Sequence, residues 1–271
     1  MSGTPKTAPG HAPAAVLSVR GLTRFFGGLM AVNSLDFDLY TGRILALIGP
    51  NGAGKSTTIN MLSGYIEPSK GTISFMGRCM NPLPPHERAR QGLIRTFQNG
   101  RLSRRLTVIE NVMLAGMGKW PTSFAGAMLR TPDFLRKENA LRDRAAELLR
   151  EFGLQADAER HVDELPYGKQ RNVELVRALM AEPKVLLLDE PAAGLNSAEV
   201  GRLSEYLSTL RGRGFAILLV EHNMSMVMQY ADDALVLNFG EKIAEGPPLK
   251  VRDDPAVVEA YLGRRRAHAA L

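Results

Sequence analysis

Cysteine is almost missing from this sequence. The single Cys79 cannot form an internal disulfide or a thiolate metal cluster, which suits a reducing compartment. Long apolar runs are missing too. No stretch approaches the ~18–20 residues that a membrane-spanning helix needs, and the opening MSGTPKTAPGHAPAA has no apolar heart of a secretion signal. A cytoplasmic protein is the expectation. Aromatic residues make up 6% of the chain, and none interleaves with basic residues as a stacking platform for nucleic-acid bases requires. The net charge of +6 suits nucleic acid, phosphate ligands or a lipid surface and does not choose among them. Its dense clusters, Arg104 with Arg105 and Arg264, Arg265 and Arg266, read as solvated surface.

Apolar residues, by contrast, are plentiful: 45% of 271, enough for one large domain or two small ones. Residues 1–14, rich in Pro, Ala, Gly and Thr and without periodicity, read as a mobile tail, with order from about Val16. In VNSLDFDLY, Val32, Leu35, Phe37 and Leu39 are set against Asp36, Asp38 and Tyr40, the pattern of a strand with one wet face. ILALI (44–48), VLLL (185–188) and FAILLV (215–220) are apolar throughout, as strands covered on both faces of a parallel sheet are. Each borders a helical segment, so the fold class is α/β.

Between Gln98 and Leu165 the buried strands stop and helix signals take over. Thr107 with Glu110 in capping-box spacing opens one helix, and ENALRDRAAELLREFGL closes another at Gly153. An α-helical subdomain over 99–164 is therefore expected inside a core of residues 15–98 and 165–237. A hairpin turning at Gly240 and a short helix should follow over 238–262, then a basic tail over 263–271. No internal repeat is found.

ALIGPNGAGKSTTINML carries G-x-x-x-x-G-K-S directly after a buried strand and directly before a helix, the context that marks a P-loop. Gly49, Gly52 and Gly54, with Pro50, Asn51 and Ala53 among them, let the backbone fold tightly. Successive N–H groups and the helix N-terminus then converge on the β-phosphate of a nucleotide. Lys55 is expected to bridge the β- and γ-phosphates, Ser56 to ligate Mg²⁺ through its hydroxyl, and Thr57 to follow in the cradle. Asp189 leaves the carboxyl end of the VLLL strand, where it can hold Mg²⁺ through water. Glu190 beside it, with the chain direction fixed by Pro191, is the candidate general base for the attacking water. His222 follows the third buried strand at the same edge, where an imidazole can donate to a γ-phosphate oxygen.

The P-loop, FQN, LPYGKQR, LLLDEP, AAGLN and EHN, in that order, resemble the nucleotide-binding subunit of ATP-binding cassette (ABC) transporters over about residues 15–262. The resemblance implies a P-loop NTPase of ABC type: a mainly parallel sheet core, an N-terminal antiparallel β portion and an inserted α-helical subdomain. It implies ATP hydrolysis with Mg²⁺. Gln98 would touch Mg²⁺ and the attacking water and link the site to membrane subunits. An aromatic upstream of the P-loop would stack on adenine, and the spacing favours Phe26 over Phe25. The loop Leu165, Pro166, Tyr167, Gly168, Lys169, Gln170 would open a helix facing the γ-phosphate of ATP bound to the other subunit of a head-to-tail dimer.

This loop departs from the family pattern. Pro166 stands where a serine hydroxyl is usual, a loss on the order of 1.5–3 kcal/mol in ATP-driven closure. Lys169 stands where glycine or glutamine is common and is expected to return positive charge near the phosphate. Asn196 replaces a frequent aspartate; it either only caps the next helix, with Glu199 at N3, or also joins the nucleotide site.

FGGLMAVN, IRTFQNGRLSRRLTVIENVMLA and FGEKIAEGPPLKVRDDPAVVEAYLG resemble one branch, the ATPase subunits of bacterial branched-chain amino acid importers, in particular the longer of the paired subunits. The branch implies a subunit peripheral on the cytoplasmic face of the inner membrane. Its partners would be a second ATPase subunit (a heterodimer, with a homodimer as the alternative), two transmembrane permease subunits and, indirectly, a periplasmic solute-binding protein. Relatives that import urea, amides or aromatic acids share the pattern, so the cargo stays open among these. Trp120, the one tryptophan, either packs internally or anchors a coupling helix of a membrane subunit. A soluble cassette protein acting on ribosomes or DNA would carry two cassettes or a long coiled-coil insertion, and neither is seen; no nucleic-acid partner is expected.

Overall fold

The computed structural model describes residues 14–96, 102–118, 128–221 and 224–268, with the side chains of 225 and 262–268 left aside. The chain begins with a hairpin, β1 (Leu17–Phe26) and β2 (Leu29–Leu39). Val32, Leu35, Phe37 and Leu39 are buried as their alternation requires. The step of three between Val32 and Leu35 is absorbed by Ser34, whose left-handed φ of 44° marks an irregularity in the pairing with β1.

The fully buried β3 (Ile44–Ile48) then feeds the P-loop and α1 (Lys55–Ser63). The chain returns to the first sheet as β4 (Lys70–Phe75) and β5 (Arg78–Cys79), giving an antiparallel sheet in the order β2-β1-β4-β5. Next come α2 (Pro85–Gln91) and β6 (Leu93–Arg95), a three-residue strand that the sequence pattern does not announce.

The described residues between 102 and 164 are mainly helical. They hold α3 (Val108–Met117) and α4 (Pro132–Glu151) and, among the described residues, no strand beyond a single bridge between Thr107 and His161. Thr107 and Glu110 close the expected capping box on α3. Gly153, at φ 66°, follows α4 in the left-handed conformation that ends helices. α5 (Tyr167–Met180) brings the chain back to β7 (Val185–Asp189), α6 (Ser197–Gly212), β8 (Ala216–Val220) and α7 (Met224–Tyr230).

The hairpin β9 (Asp233–Asn238) and β10 (Glu241–Gly246) turns at Phe239 and Gly240, both at positive φ, before α8 (Pro248–Arg252) and α9 (Pro255–His268). Two terminal boundaries shift. The hairpin opens at Asp233, ahead of 238, and the last helix runs through the arginine cluster to His268, so the expected basic tail over 263–271 is helical as far as 268. Arginine and alanine are strong helix formers and outweigh the single Gly263.

The second sheet has the order β10-β9-β3-β8-β7-β6, parallel from β9 to β6 with β10 antiparallel at the edge. It divides the interior in two. Leu186, Leu188, Ile217 and Leu219 face a core shared with the helical subdomain, while Val185, Leu187, Leu218 and Val220 face one shared with α1 and the antiparallel sheet. The unbroken apolar runs follow from this: successive side chains point to opposite faces, and both faces are covered. No helix among the described residues is long and apolar enough to cross a membrane.

Candidate nucleotide site

The P-loop is clamped from two sides. A Cβ on Gly49 would strike the Leu237 carbonyl, and one on Gly54 would lie 2.5 Å from the Ala31 carbonyl oxygen, so both positions require glycine in space as well as in φ (148° and 103°). Gly240 N–H donates to the Ala53 carbonyl (3.0 Å) and its own carbonyl accepts from Asn33 N–H (2.8 Å), so the hairpin tip and β2 together hold the loop. Gly52, at φ 80°, and Asn51 are on the exposed arch of the loop, while Pro50 and Ala53 are buried.

Lys55 is buried, and its ammonium donates to the carbonyls of Gly49 (2.6 Å) and Pro50 (3.1 Å), arched over the loop it serves. Ser56 is exposed and Thr57 half-buried in the first turn of α1. Orphan N–H groups and the positive end of the helix dipole meet there. Tyr261 of α9 adds a support that motif reading passed over: its hydroxyl is hydrogen-bonded to the Gly49 backbone, and burial raises it above the usual phenol range against that bond.

Asp189 ends β7, buried. Arg95, at the end of β6, donates to its Oδ2 at 2.8 Å. Glu190, half-buried, continues the pairing with β8 through its N–H to Val220 O (3.0 Å), yet its φ is 46°. A left-handed glutamate is strained by about 1–3 kcal/mol, a strain that concentrates at functional positions. Buried Glu221 follows β8. His222 and Gln98, and with them Trp120, lie outside the described residues.

Both candidate stacking rings are on the tip of the first hairpin, Phe25 at 38% and Phe26 at 42% exposure. Phe26 is distinguished by the Arg24 guanidinium, 4.7 Å from its ring centre.

The signature loop packs on the segment after β7. Leu165 is buried, and Pro166 is the N-cap of α5 at φ −54° without a side-chain cap bond. The exposed Tyr167 donates its hydroxyl to Ala193 O (3.3 Å) and accepts from Arg171 Nε (2.9 Å). Gly168 is so close to Glu199 that a Cβ would collide with that carboxylate. Gln170 Nε2 donates back to Leu165 O at 2.9 Å. Asn196 accepts from the N–H groups of Ala198 and Glu199 while Glu199 accepts from Asn196 N–H, a complete capping box.

Lys169 has a partner that the motif does not announce. Its ammonium is 2.5 Å from Asp157 Oδ2, a buried carboxylate that also accepts from Arg160 (3.1 Å). The pair gives Lys169 a structural role, tying the start of the signature helix to the segment after α4.

The P-loop after β3, a buried carboxylate and a strained glutamate at the end of β7 across β8 in the same parallel sheet, and a helix that opens at Pro166 behind the inserted helical subdomain follow the plan of an ATP-hydrolysing cassette. The family model described as ABC transporter matches residues 32–193, and one described as branched-chain amino acid ATP-binding cassette transporter matches 241–267. The chain belongs to the ABC transporter family and is an ATPase.

It is 44% identical over 249 residues to the high-affinity branched-chain amino acid transport ATP-binding protein LivG of Escherichia coli K12, covering 92% of this chain and 98% of that one. It is 42% identical over the same length to BraF of Pseudomonas aeruginosa, which bears the same description, with the same coverage. The crystal structure of the ADP conformation of MJ1267, an ATP-binding cassette of an ABC transporter, superposes with a TM-score of 0.81 at 30% identity, over 92% of this chain and 99% of that one.

Proposed function

We propose that this chain is the ATPase subunit that powers import of branched-chain amino acids across the bacterial inner membrane, bound peripherally to its cytoplasmic face. The observation that carries the cargo is the C-terminal module: β10 and α9 match the branched-chain model over residues 241–267, outside the segment that every cassette shares. Urea, amides and aromatic acids are the alternative cargoes.

In this reading Lys55 and the P-loop amides hold the phosphates, Phe26 stacks on adenine, Glu190 deprotonates the attacking water, and His222 and Gln98 complete the γ-phosphate side. Ser56 and Asp189 supply a hydroxyl and a carboxylate, hard oxygen donors that suit Mg²⁺, whose charge offsets that developing on the phosphates when it is bound. Residues 165–170, with Asn196, meet the nucleotide of a second ATPase subunit, preferentially a different chain.

A membrane subunit fits the concavity of about 330 Å³ bordered by Ile94, Thr96, Leu114, Ala115 and Ala178. Leu114 and Met117 are about half exposed (48% and 51%) on the adjoining face of α3, apolar anchors of the kind that helix-in-groove docking uses.

The test is uptake of labelled leucine by cells that depend on this chain, wild type against Glu190→Gln, with the expectation that uptake collapses in the variant. Undiminished leucine uptake with the variant made and membrane-bound would remove the cargo assignment.

A further inference from the structure

Arg95 sits at the junction of three elements. Its side chain is 11% exposed; one terminal nitrogen donates to Asp189 Oδ2 (2.8 Å), and the other to Asn60 Oδ1 (2.6 Å) and Ser63 Oγ (3.1 Å). Asn60 and Ser63 follow Ser56 on α1 by one and two helical turns, so all three share one stripe of the helix. The guanidinium therefore ties the stripe that starts at Ser56 to the carboxylate on β7. These are the two side chains read above as metal ligands, carried on separate elements. The planar fork of arginine fixes both partners at once, and engaging Oδ2 stops rotation of the carboxylate.

We propose that Arg95 is the positioning residue of the Mg²⁺ site, orienting Asp189 and setting its distance from Ser56. This inference rests on the Mg²⁺ reading of that pair. Arg95 also lines the groove assigned above to the membrane subunit, which leaves the metal carboxylate one ion pair away from that partner.

Partners that orient a metal ligand typically change metal affinity by about 10–100-fold when removed. The experiment titrates Mg²⁺ against binding of a fluorescent ATP analogue to the full chain, for wild type, Arg95→Met, Arg95→Lys and Asn60→Ala, with a thermal melt for each.

The expected result is nucleotide binding without Mg²⁺ close to wild type in all four. The half-saturating Mg²⁺ should rise about ten-fold in Arg95→Met and less in Arg95→Lys, whose single ammonium cannot hold both sides. Asn60→Ala leaves every charge in place, so a rise there isolates orientation from electrostatics and serves if Arg95→Met does not fold. An unchanged or lower Mg²⁺ requirement in Asn60→Ala and the folded Arg95 variants overturns the proposal, as does equal weakening with and without Mg²⁺. A wild type that binds and hydrolyses ATP without regard to Mg²⁺ would instead remove the metal reading beneath it.

Discussion

Lys169 and Asp157 form an ion pair of 2.5 Å that joins the first 3₁₀ turn after α4 (Gln155–Asp157) to the first turn of the signature helix. The hydrogen bond from Lys169 is the main reason that the Asp157 carboxyl lies below its usual range, with burial opposing it. This depressed group titrates below its unfolded value of about 3.9, so its contribution is present above pH 4 and is lost as pH falls through the lower folded value. Lys169→Gln should lower stability by about 0.5–1 kcal/mol at pH 7, a small loss because solvent screens the 45% exposed Lys169 and Arg160 still pairs with Asp157. The gap to wild type should close in acid below about pH 4. Urea melts at pH 7 and pH 3 check the sign, and a gap that widens in acid would contradict it.

The same pair predicts what the substitution leaves alone. With its ammonium held by Asp157, Lys169 is expected to add little to the nucleotide contact of its loop, so Lys169→Gln should leave the ATP concentration for subunit closure within two-fold of wild type, and a larger rise would give its charge a direct part there. Pro166→Ser restores a hydroxyl at the N-cap and should lower that concentration by about ten-fold, the worth of one charge-assisted hydrogen bond. Size-exclusion chromatography with graded ATP, in a Glu190→Gln background to block turnover, separates the two effects.

Glu190 couples chemistry to strain, because the residue read as the base is held at φ 46°. Glycine adopts that conformation without penalty. Glu190→Gly should therefore raise stability by about 1 kcal/mol net while abolishing turnover. Glu190→Gln keeps the strain and should match wild type in melting temperature while losing turnover as well. Calorimetry and phosphate release on the three proteins give the comparison. Equal melting temperatures throughout would show that the strain is offset locally by contacts of the carboxylate.

The legible part of this fold is the local part. A P-loop is contiguous, strands covered on both faces show as unbroken apolar runs, and the capping boxes at Thr107 and Asn196 need only four residues each, so these survive reading without coordinates. The supports are not contiguous. Arg95 ends a three-residue strand too short to leave a period, and its partners lie on α1 and β7. The partner of Lys169 is equally hidden, because Asp157 sits on a short 3₁₀ turn that carries no pattern of its own. Motifs name the groups that meet the ligand; the groups that hold those groups are set by topology.

Tyr261 is the most distant of these supports in sequence. Its position on α9 puts it beside Val257 on a core that includes Ala46 and Ile48 of the P-loop strand, and its hydroxyl reaches the Gly49 backbone. The C-terminal helix thereby touches the phosphate cradle directly. Tyr261→Phe keeps the packing and removes only the hydroxyl, which leaves a backbone group at the start of the P-loop without its partner. Losing such a partner costs about 1–3 kcal/mol, part of it expressed as a looser loop. ATP affinity should fall by about three- to ten-fold, while Val257→Ala, which weakens the packing and spares the hydrogen bond, should cost stability with a smaller change in affinity. Isothermal titration of ATP into the two variants distinguishes them, and wild-type affinity in Tyr261→Phe would mean that the helix braces the sheet without tuning the nucleotide site.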